Sequence, residues 1–340
     1  MKRFIHIIAM LGLAGAVLSA CGQKESSNAN ADAKDDKTLS IYTTLYPLQY
    51  FTEQIGGANV EVKSILPAGA DAHTYEPTSK TIVDIAEADA FIFHTEEMET
   101  YASTIKEALD DNVKTLEAAE GVSLLEHEHG HEEETVEEGT HNHSEDSHSE
   151  EEEHDHSEEE HSHDHGDQDP HVWLDPIRSI ALAENIKDTL VDLNPEAKQE
   201  FEKNFENLKE RLEVLDKEFH EKLENQERKE ILVTHAAYGY WEEVYGIKQI
   251  AISGLSPSNE PSQQQLEDII DTVTEHDIQY LLFEQNVEPN VAKIIQKEAD
   301  LESLNIHNLE VLTEEDIENK ENYFTIMSQN LDVLVEALEE

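Results

Sequence analysis

Apolar residues fall along this chain in two alternating patterns, short unbroken runs and longer stretches with helical spacing. The runs at 39–45, 60–66 and 90–93 are rich in Ile, Val, Phe and Tyr and predict buried strands. Between them, 47–55 and 79–88 have helical spacing, with Thr78 as N-cap for the second, and 98–109 forms a third helical stretch. Strands that alternate with helices predict a parallel sheet covered on both faces. The same pattern restarts at Ile231. Strands are expected at 231–234, 248–252 and 280–283, a weaker one at 303–308, and helices at 262–275, 289–298 and 322–338.

Between the two series, Phe201, Phe205, Leu208, Leu212, Leu215, Phe219 and Leu223 recur by threes and fours and predict one long helix over 195–225. Such a stripe suits a coiled coil or a stiff rod joining two bodies; the α/β pattern on both sides favours the rod. The expected architecture is α/β: a lobe at 39–176, linking helices over 177–228 and a second lobe at 229–340. The segment 126–169 belongs to neither lobe. It is almost wholly Glu, Asp, His, Ser and Gly, with Val136 its one large apolar residue. It cannot bury enough surface to offset the entropy of ordering, so a disordered loop is expected there.

The beginning of the chain reads as an export signal over 1–20. Lys2 and Arg3 give a positive start, 4–17 is apolar, and Leu18, Ser19, Ala20 and Cys21 close it. This pattern resembles a bacterial lipobox, in which Cys21 is acylated and residues 21–38 form a flexible tether from the bilayer. The expected location is extracytoplasmic, anchored to the membrane. Cys21 is the only cysteine of the 340 residues, which excludes a thiolate metal site, a catalytic cysteine and an internal disulfide. A formal net charge of -55 argues against nucleic acid, whose phosphates need Lys and Arg, and suits a body that attracts cations.

The acidic segment carries His127, His129, His131, His141, His143, His148, His154, His156, His161, His163 and His165. Neutral imidazole beside dense carboxylate concentrates divalent cations, so this segment is expected to collect metal weakly at several positions. A specific site must come from the lobes. His73 lies in a loop after a strand and before a helix, His171 directly follows the acidic segment, and His235 ends a strand. Loops at strand ends are where α/β proteins bind ligands, although any one such histidine is as readily structural. His94, at the end of another strand, fits a cleft wall or a structural hydrogen bond equally well. Tyr238 and Tyr240 are candidates to support His235.

The segments around His73, His171 and His235, with the lipobox and the acidic insertion, resemble the zinc-binding branch of the metal-specific (cluster A-I) solute-binding lipoproteins of bacterial ABC transporters. The resemblance runs from about Leu39 to Glu340. It implies two lobes joined by a rigid helix, with metal in the cleft, ligated by His73 and His171 from the first lobe and His235 from the second. The family's fourth ligand is a carboxylate or water from the C-terminal lobe. The matching segment is 307–313, which nominates Glu310, with Glu284 in reserve. The resemblance further implies a monomer that passes Zn²⁺, as cargo, to an ABC permease, and a protein that is not an enzyme. Some zinc-binding members look stapled by a disulfide in the second lobe, and this chain lacks the cysteines for one.

Ligand chemistry points the same way. Three imidazoles and a carboxylate suit tetrahedral Zn²⁺, whereas the manganese-binding relatives carry a carboxylate at the position of His235. Two rival functions stay open on the sequence. One is a surface metal buffer or adhesin acting through the histidine-rich segment. The other is a zinc hydrolase, against which stands the lack of a His-Glu-x-x-His pattern.

Overall fold

In the computed structural model, which describes residues 38–126, 168–258, 261–286 and 289–339, the first apolar run becomes β1 (Leu39–Thr43). It is followed by α1 (Tyr46–Gly56), β2 (Val60–Ser64), α2 (Ser79–Ala86), β3 (Ala90–Phe93), α3 (Tyr101–Ala108) and β4 (Lys114–Glu117). All pairings in this sheet are parallel, in the order β2-β1-β3-β4. The unbroken Ala-Phe-Ile-Phe of β3 is buried at every position, as a central strand covered on both faces requires. Thr78 caps α2 by accepting from the Thr81 amide.

Two short strands follow, β5 (Leu125–Glu126) and β6 (Gln168–Asp169), paired antiparallel. Segment 126–169, expected to stand apart from the lobes, therefore contributes Glu126, Gln168 and Asp169 to an ordered ribbon. The physical reason is the company of its ends. Leu125 and Asp169 are tied by main-chain bonds to the hydroxyl of Tyr240 (3.1 and 2.7 Å). The histidines from His127 to His165, Cys21, the export signal and the tether up to residue 37 lie outside the described residues.

Asp175 caps α4 (Pro176–Leu193) by accepting from two amides, and the rod follows as α5 (Lys198–Leu223). It starts after a single 3₁₀ turn at Pro195–Ala197, three residues later than its apolar stripe predicts. All seven stripe residues are buried. The rod packs against α1 and α4 of one half of the molecule and against the C-terminal helix of the other.

The second lobe is built from β7 (Glu230–His235), α6 (Gly239–Tyr245), β8 (Lys248–Ser253), α7 (Gln263–Glu275), β9 (Tyr280–Glu284), α8 (Asn290–Glu298), β10 (Glu302–Ile306), α9 (Glu314–Asn319) and α10 (Tyr323–Glu339). Its parallel sheet has the order β10-β9-β7-β8, so both lobes use one topology: the first strand sits inside, the second outside it, and the third and fourth on the other flank. In each sheet the strand order reverses between first and third strands, and the carboxyl ends of those strands open a crevice. No helix among the described residues is long and apolar enough to cross a membrane.

The lobes are stitched together at the main chain. The carbonyls of Asn308, Glu310 and Leu312 accept in turn from Trp173 Nε1, the Tyr46 amide and the Gly69 amide, at 2.8, 2.8 and 3.0 Å. In the other direction Trp241 Nε1 donates to the Leu174 carbonyl at 2.9 Å.

Candidate metal centre

Four elements bring their chemistry to one point at the carboxyl ends of the two sheets. His73 sits in the β2–α2 loop, anchored by its own amide to Asp71 Oδ1 at 2.9 Å. His171 follows β6, His235 ends β7, and Glu310 lies in the loop between β10 and α9. One donor atom from each of the four lies within 4.8 Å of the others. Nε2 of His73 is 3.1 Å from Glu310 Oε1, Nε2 of His171 is 3.6 Å from the same oxygen, and the Nε2 atoms of His171 and His235 are 3.4 Å apart. Tetrahedral Zn²⁺ with ligand bonds of 2.0–2.1 Å places its donors about 3.3 Å apart, a value these three spacings bracket. His171, His235 and Glu310 are buried, and the His73 side chain is 9% exposed, the one donor facing solvent.

Behind two of the rings stand further carboxylates. Asp169 Oδ1 accepts from both the amide and Nδ1 of His171, at 2.9 and 2.8 Å. Glu284 Oε1 lies 2.6 Å from Nδ1 of His235, off the line of a hydrogen bond, and accepts from the Tyr238 hydroxyl at 3.3 Å. The Asp169 contact favours a proton on Nδ1 of His171 and turns its Nε2 toward the other donors. Burial alone would lower the pKa of His171, but Asp169 and Glu310 outweigh it and lift it to about 9. Burial likewise opposes ionisation of Glu310, yet hydrogen bonds from His171 and His73 hold it well below the usual carboxylate range. The carboxylates on either side of His171 thus favour its protonated form.

Glu310 follows Leu309, a buried residue in the left-handed region at φ 62°. That conformation costs about 1 kcal/mol for a residue with a Cβ. It persists because the loop is over-determined. Asn330 grips His307 at both its amide and its carbonyl (2.9 and 2.8 Å), and His307 Nδ1 accepts from the Leu309 amide at 2.9 Å.

The structure thus brings His73, His171, His235 and Glu310 together, and places Glu284 one shell out, behind His235. His94 is no cleft donor: its Nε2 donates to the Pro170 carbonyl at 2.6 Å and its ring packs edge-on against Trp173. Tyr238 reaches the site through Glu284, and Tyr240 through the ribbon. Asp169, absent from the sequence-based candidates, had a signal in its Asp-Pro-His spacing, masked by the acidic run that precedes it.

Fold and centre together define a class, the two-lobed α/β binding protein with a buried site of three histidines and one carboxylate in the crevice between its sheets. Comparison with known proteins gives the family. The sequence profile of ZnuA, the periplasmic A component of a zinc-uptake complex, matches residues 41–337, and the chain belongs to this family. It is 34% identical to the high-affinity zinc uptake system protein ZnuA of Bacillus subtilis, over 95% of this chain and 94% of that one. It is 38% identical to the zinc-binding lipoprotein AdcA of Streptococcus pneumoniae, over 100% of this chain and 62% of the relative, so it spans less than two thirds of that protein. The crystal structure of the Zn(II)-bound ZnuA-like domain of AdcA superimposes with a TM-score of 0.69 at 35% identity, covering 89% of this chain and 100% of that domain.

Proposed function

We propose that this chain captures Zn²⁺ outside the cytoplasm, anchored to the membrane through Cys21, and passes it as cargo to the permease of an ABC transporter. The observation that carries the reading is the gathering of four donor atoms within 4.8 Å of one another, three of whose spacings (3.1, 3.4 and 3.6 Å) are close to those of tetrahedral zinc. His73, His171, His235 and Glu310 are the ligands. With Glu310 in the fourth position, the shell is closed and leaves no site for the activated water that zinc hydrolysis needs, which favours a carrier over an enzyme. His73, Gln168 and Pro170 line one cleft, so the β5–β6 ribbon, where the described chain breaks off at 126 and resumes at 168, stands beside the most exposed of the four donors. That placement supports the role of the histidine-rich segment as a collector feeding the site, with His127 to His165 as weak auxiliary donors.

The test is zinc stoichiometry and affinity by chelator competition, on the mature chain and on a version with 127–167 replaced by a short Gly/Ser linker. One tight site is expected to survive the replacement and to vanish in His235→Ala. If tight binding disappears with the histidine-rich segment, the chain is a surface buffer and the four-ligand reading is wrong.

A further inference from the structure

Three consecutive side chains at the end of β9 reach one proposed ligand directly and the segments that carry two others. β9 lies between β7 and β10 in its sheet, with Glu284 level with Ile306 on one side. A strand in that position abuts both ligand-bearing elements of the second lobe, β7 with His235 and the β10–α9 loop with Glu310. Glu284 contacts Nδ1 of His235 at 2.6 Å. Gln285 grips Asn308 at two points: its Nε2 donates to Asn308 Oδ1 (3.0 Å) and its Oε1 accepts from the Asn308 amide (3.3 Å). The same Asn308 Oδ1 accepts from the amide of Glu310 at 3.1 Å. Asn286 crosses to the first lobe, where its Nδ2 donates to the Ala70 carbonyl in the His73 loop at 3.2 Å.

We propose that Glu284, Gln285 and Asn286 form a positioning hub, which sets His235, Glu310 and the His73 loop in one frame. Gln285 is its least direct member and the one whose role is least obvious from distance to the metal. It touches no ligand; it fixes the carboxamide of Asn308, which in turn fixes the main chain of Glu310 just after the strained Leu309. Because the amide of Gln285 both donates and accepts, it holds Asn308 in a single orientation, and Asn308 Oδ1 is then available to the Glu310 amide. Loss of that brace lets the 308–310 turn relax out of its left-handed conformation and carry the carboxylate away from the other donors.

This inference rests on the zinc reading above, and a double-mutant cycle on the full chain separates the two. Zinc affinity is measured by competition with a chelator strong enough to strip the weak sites, in Gln285→Ala, Glu310→Ala and the double variant. Gln285→Ala is expected to weaken binding about 10-fold in the otherwise native chain. On the Glu310→Ala background it should cost nothing further, because its effect passes through that carboxylate. Equal losses in both backgrounds mean a general structural role and overturn the hub, as does wild-type affinity in Gln285→Ala. If Glu310→Ala itself binds as the native chain does, the ligand set is wrong and the hub falls with it. Should Gln285→Ala give too little folded protein, Gln285→Met, of similar length and without the amide, reads the same cycle.

Discussion

Gly239 opens α6 against the carboxylate of Asp169. A Cβ at this position would lie 2.5 Å from Asp169 Oδ2, while Oδ1 of the same group is held by His171. Gly239→Ala must therefore displace a buried carboxylate, and is expected to cost about 1–3 kcal/mol in chemical denaturation, with weaker zinc binding alongside. Glu99 makes a second residue-scale prediction. It is fully buried, and burial raises its pKa to about 7 against hydrogen bonds that include one from the His94 amide. A folded pKa above the ordinary 4.5 means the native state holds the proton more tightly. Its stabilising contribution is present below pH 4.5 and lost as pH rises to about 7, on the order of 3 kcal/mol. Glu99→Gln should lack that decline when stability is measured from pH 4.5 to 8. The three histidines that the structure draws together stood out at this scale as imidazoles at loops and strand ends, while Glu310 was nominated only by the family resemblance. The supporting residues did not stand out: a single Gln or Asp acquires its role only when distant segments such as 285 and 308 meet.

At the scale of elements, α5 divides its residues cleanly between those that hold the lobes and those that do not. Leu212 is buried and Val214, two positions on, is 57% exposed. Leu212→Ala should destabilise by about 2–5 kcal/mol through lost burial and a cavity, whereas Val214→Ala should stay within about 0.5 kcal/mol. The same periodicity that makes this contrast made the helix readable in advance. Elements with no such internal record were missed. β4 contributes only Leu116 as a large apolar residue and is specified by pairing with β3. α6 is seven residues long and begins with Gly239, so its Trp241 and Tyr245 form no pattern longer than one turn. The β5–β6 ribbon is two residues per strand and depends on Tyr240 from the other lobe, which no local pattern announces.

For the whole molecule, the governing fact is that the lobes share hydrogen bonds to main-chain carbonyls beside the centre. Glu310, though it follows a strand of the second lobe, has its loop bonded to the first at residues 308, 310 and 312. Opening the cleft by a wide hinge would break these bonds together, so metal loading should proceed by small local shifts. Scattering curves of the chain with the 127–167 replacement are expected to superimpose with and without zinc, while hydrogen exchange slows in the His73 loop. A visible compaction would show that the stitching yields. At this scale the two-lobe plan and its rod were foreseeable from the repeated pattern of strands and helices, but the stitching was not, because it uses tryptophan side chains that read only as core and loop amides that carry no pattern.

The pairing of Leu125–Glu126 with Gln168–Asp169 holds two points of the chain at the spacing of an antiparallel pair, about 5 Å. Residues 127–167 begin and end at that pair. Doubling the length of that segment adds only about 0.6 kcal/mol of closure entropy, so selection can lengthen, shorten or rewrite it with little penalty to folding. Such a splice point lets metal supply tune one part of the molecule while the coordination geometry stays untouched. It equally offers a place to graft a reporter whose signal would follow the occupancy of the centre next door.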